Sequence, residues 1–376
     1  MRFIHLADVH LGAAPEAGHE WAAQRGKELY ESFYRVIGLC RQKRIELLLI
    51  AGDLFHRQPS VRELKELNYY FSGIPDTRVV MIAGNHDYIG PHSAYGSFAW
   101  SPNVVMLSGG QMDSVYLEEL NTEVYGFSYH SREIGEARYD EVRPGVRERI
   151  NILLAHGGDA SHIPIDRKRL EKNGFDYVAL GHIHKAGRIG RRTAYSGSLE
   201  PLDKTEEGEH GAIVGELIKS PDVEEEEYGM KGTEPDSELT LRFLPCSLRQ
   251  YITIELTSDS EATNASMLDA ASAQMAAFGD RGIFRIHLTG VRGEGICYQR
   301  EEFMKLGRVA EIVDDTAPDY DFEALYACNR GNIIGMYIES IKERAGGNQE
   351  LEKRALYRGI EALLSHDGKE GERRGY

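Results

Sequence analysis

Short apolar runs, each closed by a cluster of polar residues, dominate the first half of the 376-residue chain. Phe3–Ala7 runs into Asp8-Val9-His10, and Leu47–Ala51 into Gly52-Asp53-Leu54-Phe55-His56. Val79–Ala83 leads to Gly84-Asn85-His86-Asp87, Ile150–Ala155 to His156-Gly157, and Tyr177–Leu180 to Gly181-His182-Ile183-His184. Apolar runs of this length predict strands buried on both faces. Between them, Glu20–Arg44 and Ser60–Phe71 carry apolar residues at helical spacing, as at Val61, Leu64 and Leu67. Strand–helix–strand alternation predicts parallel strands joined by helical crossovers. Ala194–Ser196 follows the basic Lys185–Arg192 turn as another short strand. Ala212–Ile218 and Leu239–Leu244 read as a strand pair, split by an acidic insert centred on Glu224–Glu227 that is expected to be a solvated tip.

The pattern changes near Ser247. Tyr251–Leu256 predicts a strand, Ala262–Phe278 an amphipathic helix and Ile283–Leu288 a second strand, a β-α-β unit. Pro318 marks the next break, and two helical stretches follow. One aligns Ile334, Tyr337, Ile338 and Ile341, the other Leu356, Ile360, Leu363 and Leu364, with Gly346-Gly347 between them. The last ten residues are charged and glycine-rich and are expected to be disordered.

A polar side chain just past a buried strand lies at the rim of its sheet. Five such ends bearing Asp, Asn or His predict one shared site. Seven oxygen and nitrogen donors exceed the needs of a single tetrahedral ion, which points to two divalent metals. Ligation by O and N without thiolate suits manganese, with iron or zinc as alternatives. Cys40, Cys246, Cys297 and Cys328 are too scattered for a zinc site or a disulfide framework. The formal net charge of −16 argues against nucleic acid until it is located. Residues 1–205 hold 25 Lys+Arg against 26 Asp+Glu, whereas residues 206–376 hold 19 against 34. Two bound dications would leave the first half locally positive, so DNA is not excluded, although binding by this chain alone is expected to be weak. Met1-Arg2 leads into a strand rather than a signal peptide, and no apolar run reaches membrane-spanning length, so a cytosolic protein is expected. No P-loop occurs, so any ATPase must come from another chain.

In this order the five blocks, D-x-H, G-D, G-N-H-D, a lone H and G-H-x-H, resemble the signature of the calcineurin-like metallophosphoesterases. Within that superfamily the chain resembles the SbcD-type DNA exonuclease subunits, in their shorter YhaO-like branch. The narrower match rests on Ile4-His5-Leu6-Ala7-Asp8-Val9-His10-Leu11-Gly12, on the second histidine of Gly-Asp-Leu-Phe-His56, and on Tyr195-Ser196-Gly197-Ser198-Leu199-Glu200-Pro201. It covers roughly residues 1–205.

The resemblance implies an α/β (α+β) fold, a four-layer αββα sandwich with a small β-α-β capping domain and C-terminal helices. Its domains would be 1–246 (nuclease), 247–318 (capping, DNA-end recognition) and 319–376 (docking of an SbcC-like coiled-coil ATPase). It also implies a homodimer and manganese-dependent exonuclease activity from 3′ ends. Asp8, His10, Asp53 and His184 would hold one metal; Asp53, Asn85, His156 and His182 would hold the other. His86 would donate a proton to the leaving oxygen, Asp87 would orient His86, and His56 would position the nucleotide. His5 reads as a hydrogen-bonded core residue, and the basic turn as either a phosphate grip or solvated surface. Two alternatives stay open: a phosphodiesterase or phosphatase for a small molecule or phosphoprotein, and a non-catalytic scaffold of a repair complex.

Overall fold

The computed structural model of the protein describes residues 1–219, 237–344 and 349–371, with backbone alone at 349 and 365–371. The Glu224–Glu227 insert and the Gly346-Gly347 break lie outside these residues. The chain divides into two units, Met1–Ile252 with Asp280–Ile283, and Thr253–Gly279 with Phe284–Tyr376.

The first unit opens with strand β1 (Arg2–Leu6), helix α1 (Ala22–Gln42), β2 (Leu47–Ala51), α2 (Val61–Ser72), β3 (Arg78–Ile82) and β4 (Val104–Met106). These four strands are parallel neighbours. The sheet is completed by β11 (Gly211–Lys219), antiparallel to β1, and by β12 (Ser237–Pro245) beside it. A second sheet contains β5 (Asp113–Leu117), β6 (Thr122–Gly126), β7 (Ile150–His156), β8 (Tyr177–Gly181), β9 (Gly187–Arg188) and β10 (Thr193–Tyr195), with α3 (Arg167–Glu171) between β7 and β8. Its order is β5-β6-β7-β8-β10-β9. All five strands expected to carry site residues are therefore central, parallel and buried on both faces.

Strand alternation explains the layering. Leu48 and Ile50 of β2 join Phe33, Ile37, Leu64 and Leu67 of the two long helices, whereas Leu47, Leu49 and Ala51 join Leu154 and Ala179 between the sheets. Ser60 starts α2 with a capping box closed by Glu63. The outer face of the second sheet buries Leu153, Ala155, Val178 and Leu180 under α3 and loop residues such as Phe127, Tyr139 and Ile163. The fourth layer of the sandwich is accordingly thin.

His5 is fully buried on β1, with Nδ1 2.8 Å from the Tyr177 hydroxyl. Burial pulls its pKa down to about 3. A folded-state pKa below the unfolded value means that stability is full above about pH 6.5 and is lost as pH falls towards 3. At pH 5 this group alone should cost about 2 kcal/mol. Urea unfolding of His5→Gln is expected to show a correspondingly shallower loss between pH 7.5 and pH 5; an unchanged slope would assign the acid sensitivity elsewhere.

The second unit takes most of β13 (Gln250–Ser258) and of β14 (Gly282–Arg292), with α4 (Asn264–Ala276), α5 (Arg300–Met304), β15 (Val309–Asp314) and β16 (Ala317–Pro318). Its sheet runs β13-β14-β15, with β16 also on β14. Three helices follow rather than two: α6 (Phe322–Asn329), α7 (Ile333–Arg344) and α8 (Gln349–Gly371). The apolar faces expected from Ile334, Ile338, Leu356 and Ile360 close on one another, joined by Tyr326 and Leu325 of α6. The helix α8 continues to Gly371, into the stretch expected to be disordered, and residues 372–376 lie outside the description. Among the described residues no helix is long and apolar enough to cross a membrane, and all four cysteines are free thiols.

Candidate metal centre

The loops at the carboxyl ends of β1, β2, β3, β7 and β8 bring the seven expected ligands together. Asp8, His10, Asp53, Asn85 and His156 are buried, and His182 and His184 are half-buried. Reactive atoms of Asp8, His10 and His184 lie within 4.8 Å of one another, as do those of Asp8, Asp53 and His156. Four of these residues, Asp8 (φ 51°), His10 (51°), Asp53 (50°) and His182 (95°), sit in the left-handed region, half of the eight non-glycine residues that do so among those described. Such backbone costs about 1–3 kcal/mol per residue and persists where surroundings over-determine it. Here the loops hold each other: His10 N–H donates to Asp53 O (3.0 Å), Leu11 N–H to Leu54 O (2.9 Å) and His56 N–H to Leu11 O (3.0 Å). Gly84 is required by close approach, since a Cβ there would stand 2.2 Å from Asp53 Oδ1.

The ring orientations fit cations. His156 Nδ1 is 2.8 Å from the Ala51 carbonyl, which only accepts, so Nδ1 carries the proton. Its Nε2 then faces Asn85 Oδ1 at 2.9 Å and Asp53 Oδ2 at 3.4 Å. His182 places Nδ1 3.2 Å from the same Asn85 oxygen. On the other side, His184 Nε2 and His10 Nε2 face each other at 3.1 Å, with Asp53 Oδ2 3.9 Å from His10 Nε2. Lone pairs converge from both directions on a space that needs positive charge, and Asp53 reaches both halves. Burial would lower His156, but the charge and hydrogen bond of Asp53, with Asp8 behind, push it up to about 9. Burial is likewise outweighed at His184 by Glu206 and Asp8, to about 9. Desolvation pushes Asp8 up to about 6. Burial would also raise Asp53, yet His156 and His10 hold it well below the carboxylate range. In effect, protons on the histidines satisfy the charge that a divalent ion would supply.

His86 stands at the rim, half-buried, its backbone N–H donating to Asp53 Oδ1 (2.8 Å). Its Nδ1 donates to His56 O (3.2 Å), which leaves Nε2 open. His56 is exposed, stacks on His86 (5.0 Å between centroids) and approaches His10 Nδ1 to 3.3 Å. Asp87 has other partners than the expected His86: it accepts from Gly84 N–H (2.8 Å), Phe55 N–H (3.2 Å) and Tyr95 Oη (3.0 Å). It staples the β2 and β3 loops together, and burial, with Asp53 nearby, pushes its pKa up to about 7. The basic turn splits in two. Arg192 is tied to Asp176 O and Ser237, while Lys185 and Arg188 line a cavity of about 870 Å³ beside His184. Two carboxylates outside every motif also reach the centre, Asp159 on His182 Nε2 (2.7 Å) and Glu206 on His184 Nδ1 (2.7 Å).

Two αβ layers thus present a donor cluster at the carboxyl ends of their parallel strands. Residues 1–186 match the calcineurin-like phosphoesterase family model, and the chain carries a domain of that family. It is 31% identical over 223 residues to the DNA double-strand break repair protein Mre11 of Methanocaldococcus jannaschii, covering 55% of this chain and 58% of the relative. It is 29% identical over 231 residues to the uncharacterized metallophosphoesterase YhaO of Bacillus subtilis, covering 56% of each. The Mre11 protein of Methanopyrus kandleri is 28% identical over 245 residues, covering 56% of this chain and 52% of the relative. The matches thus span a little over half the length of these curated relatives.

Proposed function

We propose that this chain is the nuclease subunit of a DNA repair complex, a metal-dependent exonuclease that hydrolyses phosphodiester bonds from 3′ ends. The observation that carries the reading is the convergence of seven O and N donors with His86 at their rim. Asp8, His10, Asp53 and His184 would hold one divalent ion, and Asp53, Asn85, His156 and His182 the other, with manganese preferred and iron or zinc as alternatives. Bound there, the ions would polarise the phosphate and make water nucleophilic at neutral pH. The residues supply the rest. Asp53 spans both halves with one carboxylate and positions His86 through the backbone with its second oxygen. His86 Nε2 delivers a proton to the leaving oxygen. His56, stacked on it at the surface, steers the nucleotide.

DNA as substrate is supported by relatives named for double-strand break repair. On the same reading, residues 247–318 recognise DNA ends, the nuclease acts as a homodimer, and residues 319–376 dock an SbcC-like ATPase. Support for docking is the exposure of Ile333, Met336 and Leu351 on α7 and α8.

The test crosses metals with substrates on the purified chain: manganese, zinc, magnesium or chelator against 3′-labelled duplex DNA, single-stranded DNA and a small chromogenic phosphodiester. Manganese-stimulated release of nucleotides from DNA, lost with chelator and in Asp53→Asn, is expected. Turnover of the small ester alone would make the protein a small-molecule phosphodiesterase, and no turnover of any would make it a scaffold.

A further inference from the structure

We infer that Asp159 and Glu206 are positioning residues for the two histidines of the Gly-His-x-His turn, and that each sets the metal affinity of one half of the centre. The inference rests on the metal-site reading above and goes beyond it in naming what orients the rings.

The two carboxylates share a division of labour. Asp159 Oδ1 accepts from the backbone N–H groups of Ser161 (2.8 Å) and His162 (2.9 Å), which anchors it in its own loop, while Oδ2 takes His182 Nε2 at 2.7 Å. Glu206 Oε2 accepts from Leu202 N–H (3.0 Å) and Ser198 Oγ (3.3 Å), while Oε1 takes His184 Nδ1 at 2.7 Å. In both cases one oxygen fixes the carboxylate and the other fixes the ring. A carboxylate can only accept, so the ring nitrogen it touches carries the proton, and the opposite nitrogen presents its lone pair. For His182 that nitrogen is Nδ1, facing Asn85; for His184 it is Nε2, facing His10. Without the carboxylate a neutral imidazole can take the other tautomer or rotate, and its basicity falls.

The chain commits to both contacts. Just past β7, Gly158 has φ +136°, and a Cβ there would lie 2.2 Å from Tyr195 Oη. This turn, closed by Gly158 N–H donating to His162 O (2.8 Å), places Asp159 against His182. His162 adds a second ring beside it, with Nδ1 3.0 Å from both Asp159 oxygens and a centroid 4.5 Å from that of His182. Behind His184, Ser198 also meets His210 Nδ1 at 2.8 Å, so the Glu206 loop is tied to the segment that begins at Tyr195.

The experiment is calorimetric titration of manganese into the purified full chain and into Asp159→Ala, Asp159→Asn, Glu206→Ala and Glu206→Gln, with melting of the metal-free proteins alongside. Two binding steps are expected for the unsubstituted chain. Each alanine variant should weaken one step by about 10–100-fold and leave the other in place, the two variants striking different steps. The Asn and Gln variants, which keep an acceptor oxygen, should recover most of the loss. If the unsubstituted chain binds two ions and both alanine variants match it, or both lose the two steps alike, the inference falls while the metal site stands. If the unsubstituted chain binds no manganese, the metal-site reading falls and takes this inference with it.

Discussion

His86→Ala is expected to lower turnover of DNA about 10²–10⁴-fold while leaving metal binding and KM nearly unchanged. The side chain is held in place from three directions: by its backbone N–H on Asp53 Oδ1 (2.8 Å), by Nδ1 on His56 O (3.2 Å) and by the perpendicular His10 ring at 4.8 Å between centroids. With Nδ1 committed to a carbonyl, Nε2 is the atom that can give a proton to a leaving alkoxide. A leaving group of low pKa needs no such help. The same variant should therefore lose far less activity on a chromogenic aryl phosphodiester than on DNA. Equal losses on the two substrates would mean that His86 does not act as the acid. A parallel fall in manganese affinity would instead make it a ligand, an arrangement within reach because His10, His56 and His86 bring nitrogens within 4.8 Å of one another.

The five strands that build the centre were legible because parallel strands buried on both faces read as uninterrupted apolar runs, and the residue after each run has nowhere to go but the rim. Weaker patterns were missed. Asp113–Leu117 opens with two polar residues, buries only Leu117 and lies at a sheet edge, and Val104–Met106 is three residues long, too short for periodicity to register. The helix at Phe322–Asn329 exposes too little pattern in eight residues to announce itself. Asp87 shows a different limit. Adjacency to His86 led to the expectation that it orients that ring, yet the turn carries its carboxylate back to Gly84 and Phe55. Asp159 and Glu206 reach the histidines only through three-dimensional return of their loops. The glycine pair Gly157-Gly158 directly after β7 is the sole trace of the former in the sequence, and nothing marks the latter among its acidic neighbours.

The second large effect lies at the base of the segment that carries Glu206. Arg25 of α1 is almost wholly buried and donates to Glu28 (2.8 Å), Glu200 (3.2 Å) and the Pro201 carbonyl (2.8 Å). Ser32 Oγ donates to Glu200 at 2.5 Å, and Arg249 closes the network on Glu28 Oε1 at 2.9 Å. Two buried carboxylates thus share two guanidinium groups. Burial already holds Glu200 above the usual range despite Arg25 beside it. In Arg25→Ala one carboxylate must stay unpaired or take up a proton, which should cost about 3–5 kcal/mol. The exposed Arg169–Glu141 pair (2.9 Å) is the control, since Arg169→Ala should change stability little. The sign with pH follows from the raised folded-state pKa. A carboxyl group whose pKa is raised on folding keeps its stability below the unfolded value and loses it as pH rises through the folded one, so the Arg25→Ala deficit should be larger at pH 8 than at pH 5. Urea unfolding at the two values measures it. A deficit below about 1 kcal/mol at both, comparable to a surface pair, would mean that the network relaxes into solvent and does not anchor the Glu200–Glu206 segment.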